Sequence, residues 1–290
     1  MSLRSLKLLL CATASVLLVS AAKAQGQSPA EKLGWQLAVH SYTFKEYPIF
    51  DAIDKTAALG VKYMSISGGL ILDGTNKLLT VNLTDKERER IDKKLKADGF
   101  GHFVNIGVVQ LSADEAKSRK VFEFARKWGI GMLVAEPPLD SLDTVEKLCK
   151  EYNIKVAIHE HSKGHSIYWK PEILLDAIKG RSPLMGACAD IGHYMKSGLD
   201  PVECIKKLEG HILCLHFKDL NGMDMNAHDV PWGTGVGKSK QLMEELKRQH
   251  YRGVFCIEYE HDWTNSMPEL AQCVKFWNDT CAELAATPAK

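Results

Sequence analysis

Apolar residues along this chain switch repeatedly between two periods. Short runs with strand character alternate with stretches where apolar residues recur every three or four positions, the spacing of one helix face. Strand candidates cover residues 35–44, 61–68, 100–109, 131–137, 155–161, 185–194, 212–219 and 253–261. Helical patterns lie between them, among others at 84–98, 113–128, 143–152, 201–208 and 239–249. Gly60, Gly99, Gly180 and Gly210 stand where helices end, and Thr84 and Ser112 precede acidic first turns as N-caps. No Pro/Gly/Ser-rich linker breaks the alternation. Eight strand–helix units in one run predict a single α/β domain, a closed (β/α)8 barrel of parallel strands.

The ends of these strands carry the candidate chemistry. Glu136, Asp190, His216 and Glu258 each close a strand-like segment, and in a closed barrel the C-terminal strand ends converge on one mouth. Three carboxylates and one imidazole suit a hard or borderline divalent cation, one Mn²⁺, Co²⁺, Zn²⁺ or Mg²⁺. Residues two apart on a strand share a face, so Cys188, Cys214 and Cys256 are expected one layer below Asp190, His216 and Glu258 as small apolar fillers. His40, His159, His161 and His193 also gather toward strand ends, with Asn105 near the end of the third strand and Lys218 two residues after His216. Glu160 has the opposite parity from His159 and is expected to face the helices or the rim.

Composition narrows the partners. Arg4 and Lys7, the apolar stretch from Leu8 to Ala21, and Ala22-Lys23-Ala24 describe a cleavable export signal over residues 1–24. The barrel then spans 25–290, about 266 residues against the roughly 250 typical of this architecture. The segment holds three cations and no acid, so its removal takes the formal charge from +1 to −2. A nearly neutral chain without basic runs offers no electrostatic footprint for nucleic acid or an anionic membrane. Export implies the periplasm. Seven cysteines remain after the signal, an odd number with no small disulfide scaffold in its spacing, and Cys273 and Cys281 lie too far apart on one helix to bridge.

One glycine-rich stretch invites a nucleotide. Gly233-Thr-Gly-Val-Gly-Lys-Ser239 approaches G-x-x-x-x-G-K-[ST], but Trp232 occupies the place of the first glycine. A Gly-rich rim loop beside the site is the better expectation, with backbone amides available to a substrate. The chain has no H-E-x-x-H pair, no G-x-S-x-G elbow and no dinucleotide fingerprint after the first strand.

With these residues in view, the chain resembles the xylose isomerase-like TIM-barrel superfamily, the sugar phosphate isomerase/epimerase group. The likeness rests on Glu136, the D-x-x-H of Asp190 and His193, the H-x-K-D from His216 to Asp219, Glu258, and the Pro231-Trp232-Gly233-Thr234-Gly235 turn. It implies that Glu136, Asp190, His216 and Glu258 hold one divalent metal ion and that Glu136 and Glu258 flank the substrate as an acid/base pair. His159 and His161 are further acid/base candidates, and His40, Asn105, His193 and Lys218 are expected to hold the substrate.

Proton abstraction next to a carbonyl leaves a negative oxygen that needs a fixed positive partner, which such a cation provides. Returning the proton to the other face is epimerisation, and returning it to the neighbouring carbon is isomerisation. The expected function is therefore a metal-dependent isomerase or epimerase of a non-phosphorylated sugar or keto-sugar. The alternative is a lyase or dehydratase that cleaves 3-keto-glycosides by β-elimination at the same site. A non-catalytic sugar-binding barrel and an endonuclease IV-like phosphodiesterase rank below these.

Overall fold

A computed structural model describes residues 26–287; the expected export signal lies outside them. The strands are β1 (Trp35–His40), β2 (Tyr63–Ser67), β3 (Gly69–Ile71), β4 (Lys77–Leu79), β5 (Ile106–Val109), β6 (Met132–Ala135), β7 (Lys155–His159), β8 (Met185–Asp190), β9 (Ile212–Phe217) and β10 (Gly253–Ile257). The helices are α1 (Pro29–Leu33), α2 (Ile49–Ala58), α3 (Asp85–Ala97), α4 (Glu115–Lys127), α5 (Leu142–Tyr152), α6 (Pro171–Ile178), α7 (Ile191–Lys196), α8 (Pro201–Lys207), α9 (Ser239–Arg248) and α10 (Met267–Ala286). Eight strands close in the order β1-β10-β9-β8-β7-β6-β5-β2, with parallel neighbours throughout. The remaining pair, β3 and β4, is an antiparallel hairpin inserted between β2 and α3.

The hairpin was not expected, although Asp73-Gly74 between two apolar runs is a turn signal and Gly74 takes the positive φ that such a turn asks for. Several strands are also shorter than their apolar runs. The run starting at Met185 stops being a strand at Asp190, because that residue caps α7: its Oδ1 accepts from the His193 amide at 2.9 Å. The D-x-x-H spacing is thus one helical turn hung from a cap. Thr84 caps α3 in a capping box with Glu87, as expected. Ser112 does not cap α4. Asp114 accepts from the Lys117 amide in that role, while Ser112 exchanges backbone hydrogen bonds with the Ser118 hydroxyl.

Two cores result. A large one lies between the barrel and its helices, and a small one fills the barrel interior with Ala38, Met132, Val134, Ala157, Cys188, Cys214, Val254 and Cys256. The three cysteines therefore occupy the expected inner layer. All seven cysteines of the described residues are free and buried, Cys273 and Cys281 included. Bulky maleimides are expected to leave Cys188, Cys214 and Cys256 unlabelled in native protein and to label them on unfolding. Stoichiometric labelling of all three in the folded state, read by mass spectrometry, refutes this packing. No helix among the described residues is long and apolar enough to cross a membrane.

Candidate metal centre and active-site cavity

Four consecutive barrel strands deliver four donors. His159 ends β7, Asp190 ends β8, His216 is the penultimate residue of β9, and Glu258 directly follows β10. Strand register aligns them, pairing Asp190 with His216 and Cys256 with His216 across neighbours. His159 Nε2 lies 3.4 Å from Asp190 Oδ2 and 3.0 Å from His216 Nδ1. His216 Nδ1 lies 2.9 Å from Glu258 Oε2 and 3.6 Å from Asp190 Oδ2. All four residues are buried, and their ligand atoms fall within 4.8 Å of one another. Asp190 Oδ2 is buried and held by ion-pair contacts, with Lys218 Nζ at 3.2 Å and the two imidazoles. Two imidazoles and two carboxylates converging on one buried point are a donor set that fits a divalent cation.

Glu136 sits differently from its expected place in this set. It follows β6, one strand further round, where its Oε1 bonds His161 Nδ1 and comes within 3.5 Å of His159 Nδ1. His159 supplies the fourth donor of the cluster instead. Both residues have inward parity and strand-end positions, so only the angular order of the closed barrel separates them. Glu136, His159 and His161 form a second, overlapping group of possible ligands. His161 in turn packs on His193, whose Nδ1 lies 2.8 Å from the Ser162 hydroxyl.

The charges of the cluster follow from burial set against close partners. Burial raises the carboxyl of Glu258, but the His216 imidazole and the Lys218 ammonium outweigh it and hold the group well below the carboxylate range. Burial lowers His216, yet Glu258 and Asp190 prevail and push it up to about 10. At His40 burial outweighs the nearby Glu258 carboxylate. Burial takes it down to about 3, which keeps it neutral while it stacks on His216 and its Nδ1 bonds the Ser65 hydroxyl.

A cavity of about 530 Å³ opens over this cluster, lined by His40, His159, His161, His193 and Glu258 among others. Two residues expected to hold substrate do not reach it. Asn105 is fully buried below, where its side-chain oxygen bonds Ser65 and so supports His40 through one intermediary. Lys218 is 2 % exposed, with its Nζ 2.8 Å from Glu258, 3.2 Å from Asp190 and 3.0 Å from Glu260. It is the internal counter-cation of the cluster. Sequence reasoning overlooked Glu260, which lines the cavity and anchors this ammonium; the E-Y-E spacing after β10 was its only signal. Glu160 points outward, as parity predicts, and accepts from the Tyr194 hydroxyl.

The glycine-rich loop turns its Gly233, Gly235 and Gly237 amides inward and away from any substrate. Its anion cradle is already filled by Asp219, whose carboxylate accepts from the Gly233, Gly235 and Gly237 amides at 2.8, 3.1 and 2.8 Å and from the Ser239 hydroxyl at 3.0 Å.

Asp229 is a further buried acid near the cluster. Its Oδ2 accepts from the Glu260 amide, its Oδ1 has no partner, and burial, only partly opposed by Lys218, pushes the carboxyl up to about 7. For a carboxyl raised in the folded state, the stability contribution is complete below its unfolded pKa and is lost as pH rises through about 7. Asp229→Asn removes this loss. Between pH 5 and pH 8 the wild type is expected to lose about 2–3 kcal/mol relative to the variant. Denaturant unfolding of both proteins at the two pH values checks this, and parallel pH profiles refute it.

Comparison with known proteins agrees with this architecture. An uncharacterised protein of Parabacteroides distasonis, solved by crystallography, is 33% identical, superposes with a TM-score of 0.67, and aligns over 85% of this chain and 99% of its own. An L-ribulose 3-epimerase structure superposes with a TM-score of 0.65 over 88% of this chain and 99% of its own, at 15% identity, a likeness of fold alone. Inosose dehydratase of Clostridium tetani is 28% identical over 143 residues, 44% of this chain and 47% of that protein, so the chain matches about half the length of its curated relatives. The family described as xylose isomerase-like TIM barrel matches residues 53–279. On that match, and on the closed parallel barrel, the chain belongs to the xylose isomerase-like TIM barrel family.

Proposed function

We propose that this protein is a divalent-metal-dependent enzyme that removes a proton next to the carbonyl of a non-phosphorylated sugar or keto-sugar. The observation that carries the reading is the division of labour at Glu258. Its Oε2 joins the buried donor cluster, while its Oε1 faces His40 at 3.7 Å on the cavity wall. A carboxylate committed to a cation through one oxygen acts as a base only when the other is free to meet substrate.

Asp190 and His216 lie wholly beneath the cavity and serve as ligands alone, with His159 as the fourth. A divalent ion bound there supplies the fixed positive charge that stabilises the oxygen on which negative charge develops. Glu258 takes the proton from the carbon next to the carbonyl. His161, partly exposed and held by Glu136, stands on the cavity wall as the group that returns a proton. Return to carbon gives isomerisation or epimerisation, in keeping with the epimerase fold neighbour.

A second outcome has an observation of its own. If a hydroxyl or alkoxide leaves from the adjacent carbon, the same two groups perform elimination, Glu258 taking the proton and His161 protonating the departing oxygen. The relatives named inosose dehydratase support this branch. The export signal expected from residues 1–24 and the Asp219-filled glycine loop both favour a substrate without phosphate. The test is to incubate the metal-loaded protein in D₂O with free sugars and 3-keto-glycosides and to follow the products by NMR. Deuterium is expected at the carbon next to the carbonyl. Absence of exchange across the panel, with metal shown to be bound, defeats the reading.

A further inference from the structure

The cavity is larger than the chemistry beneath it requires. Its inner wall is the donor cluster and the histidines, but it runs on to an outer wall built from two elements the reaction does not use. These are the 3-10 turn Ser41–Phe44, which follows β1, and the β3–β4 hairpin. At about 530 Å³ it falls in the range that takes drug-sized ligands, whereas a free hexose has only about a dozen heavy atoms.

The outer wall is fixed in place. Thr80, at the far end of the hairpin, bonds back to the rim of β2: its hydroxyl donates to the Ser67 carbonyl at 2.6 Å and its amide to the Gly68 carbonyl at 2.9 Å. Ile71 bridges to Pro48 just ahead of α2. Its chemistry is that of a ring-binding surface. The Tyr42 ring, over the largely buried Leu70, lines it, and Tyr42 is braced edge-on by Trp263 at 5.6 Å between ring centres. Lys45 Nζ lies 3.5 Å from the centre of the Trp263 ring and 4.8 Å from that of Tyr42, donates to the Tyr42 hydroxyl at 3.4 Å, and has no carboxylate partner among the described residues. Lys77, by contrast, is paired with Glu46 at 3.5 Å. An aromatic face beside an ammonium with donors available matches a ring that has an apolar face and hydroxyl acceptors at its edge.

We propose that this outer wall is a second subsite, and that the substrate is a glycoside: the reacting sugar lies over the donor cluster and the ring linked to it lies against Tyr42, Leu70 and Lys45. The inference rests on the enolising reading for the identity of the inner ring, but not for the existence of the outer site. Free monosaccharides fill only the inner half.

The test measures binding before turnover. Metal-loaded protein is titrated calorimetrically with matched pairs: maltose, cellobiose, lactose and 4-nitrophenyl glycosides, each against its parent monosaccharide. At least one glycoside is expected to bind about tenfold or more tightly than its parent, and Tyr42→Ala and Lys45→Met are each expected to bring that ratio close to unity. The disaccharide and nitrophenyl arms tell whether a sugar or an aromatic ring is preferred, and a preference for either supports the subsite. The proposal is overturned if no pair shows the preference, or if neither variant reduces it. Retained discrimination without any deuterium exchange upholds the subsite and removes the enolising reading, so the two fail separately.

Discussion

Glu258→Gln is expected to abolish exchange of the substrate proton next to the carbonyl, lowering the rate by about 10³-fold or more. The substitution keeps the size of the side chain and one oxygen donor for the cluster, but removes the carboxylate whose Oε1 faces the cavity. Glutamine is not a base at any accessible pH, so raising the pH is not expected to rescue the variant. Metal is expected to bind more weakly, since one negative charge leaves a set that contains only one other, Asp190. The measurement is deuterium wash-in by NMR at saturating metal, with metal content confirmed for each sample. Wild-type exchange in the variant moves the base elsewhere, and the Glu136-backed His161 becomes the next residue to test.

Lys218→Met carries the largest expected effect on stability. The Lys218 ammonium is buried within 3.2 Å of three carboxylates, and these outweigh burial to keep it protonated well above the ordinary lysine range. Methionine retains much of the stem but leaves Asp190, Glu258 and Glu260 facing one another without their cation. Removing one partner of a buried ion pair typically costs about 3–5 kcal/mol, and that loss is expected in metal-free protein at pH 7. A divalent ion replaces the missing charge, so added metal should stabilise the variant more than the wild type.

Gly192→Ala provides a milder form of the same perturbation, because a Cβ there would lie 2.6 Å from Lys218 Cδ. Denaturant unfolding with and without metal distinguishes the outcomes. Equal metal-free stability of Lys218→Met and wild type, or equal stabilisation of both by metal, would show that the ammonium is not the counter-cation of the cluster.

These effects show why some site residues were legible before the structure and others were not. Asp190, His216 and Glu258 were legible because strand-end position and two-residue parity are local properties, written directly in the order of apolar and polar side chains. His159 carried the same two signals, yet it was assigned to proton transfer while Glu136 was placed among the ligands. The register sets Glu136 level with His159, so the choice between them depends on angular order in the closed barrel, where β7 lies beside β8 and β6 one strand further away. Which strand ends share one centre appears in no window of sequence. Lys218 and Asn105 were misplaced in depth: Lys218 keeps the two-residue offset from His216, and Asn105 precedes β5 rather than ending it, so both lie beneath the cavity and not on its wall.

The sequence by itself determined the eightfold strand–helix alternation, the caps at Thr84 and the helix-ending glycines, the inward cysteine layer, and the strand ends from which an active centre is built. Each depends on interactions within a few residues, where periodicity and backbone preference act. Only the tertiary structure decided that four neighbouring strands bring His159 to Asp190, His216 and Glu258, that Asp219 fills the glycine loop, that Lys218 neutralises the cluster from within, and that a hairpin widens the cavity toward Tyr42. Those outcomes follow from closing the barrel. Closure fixes register, depth and angular order among residues far apart in the chain, and buried charges must then find partners wherever that geometry places them.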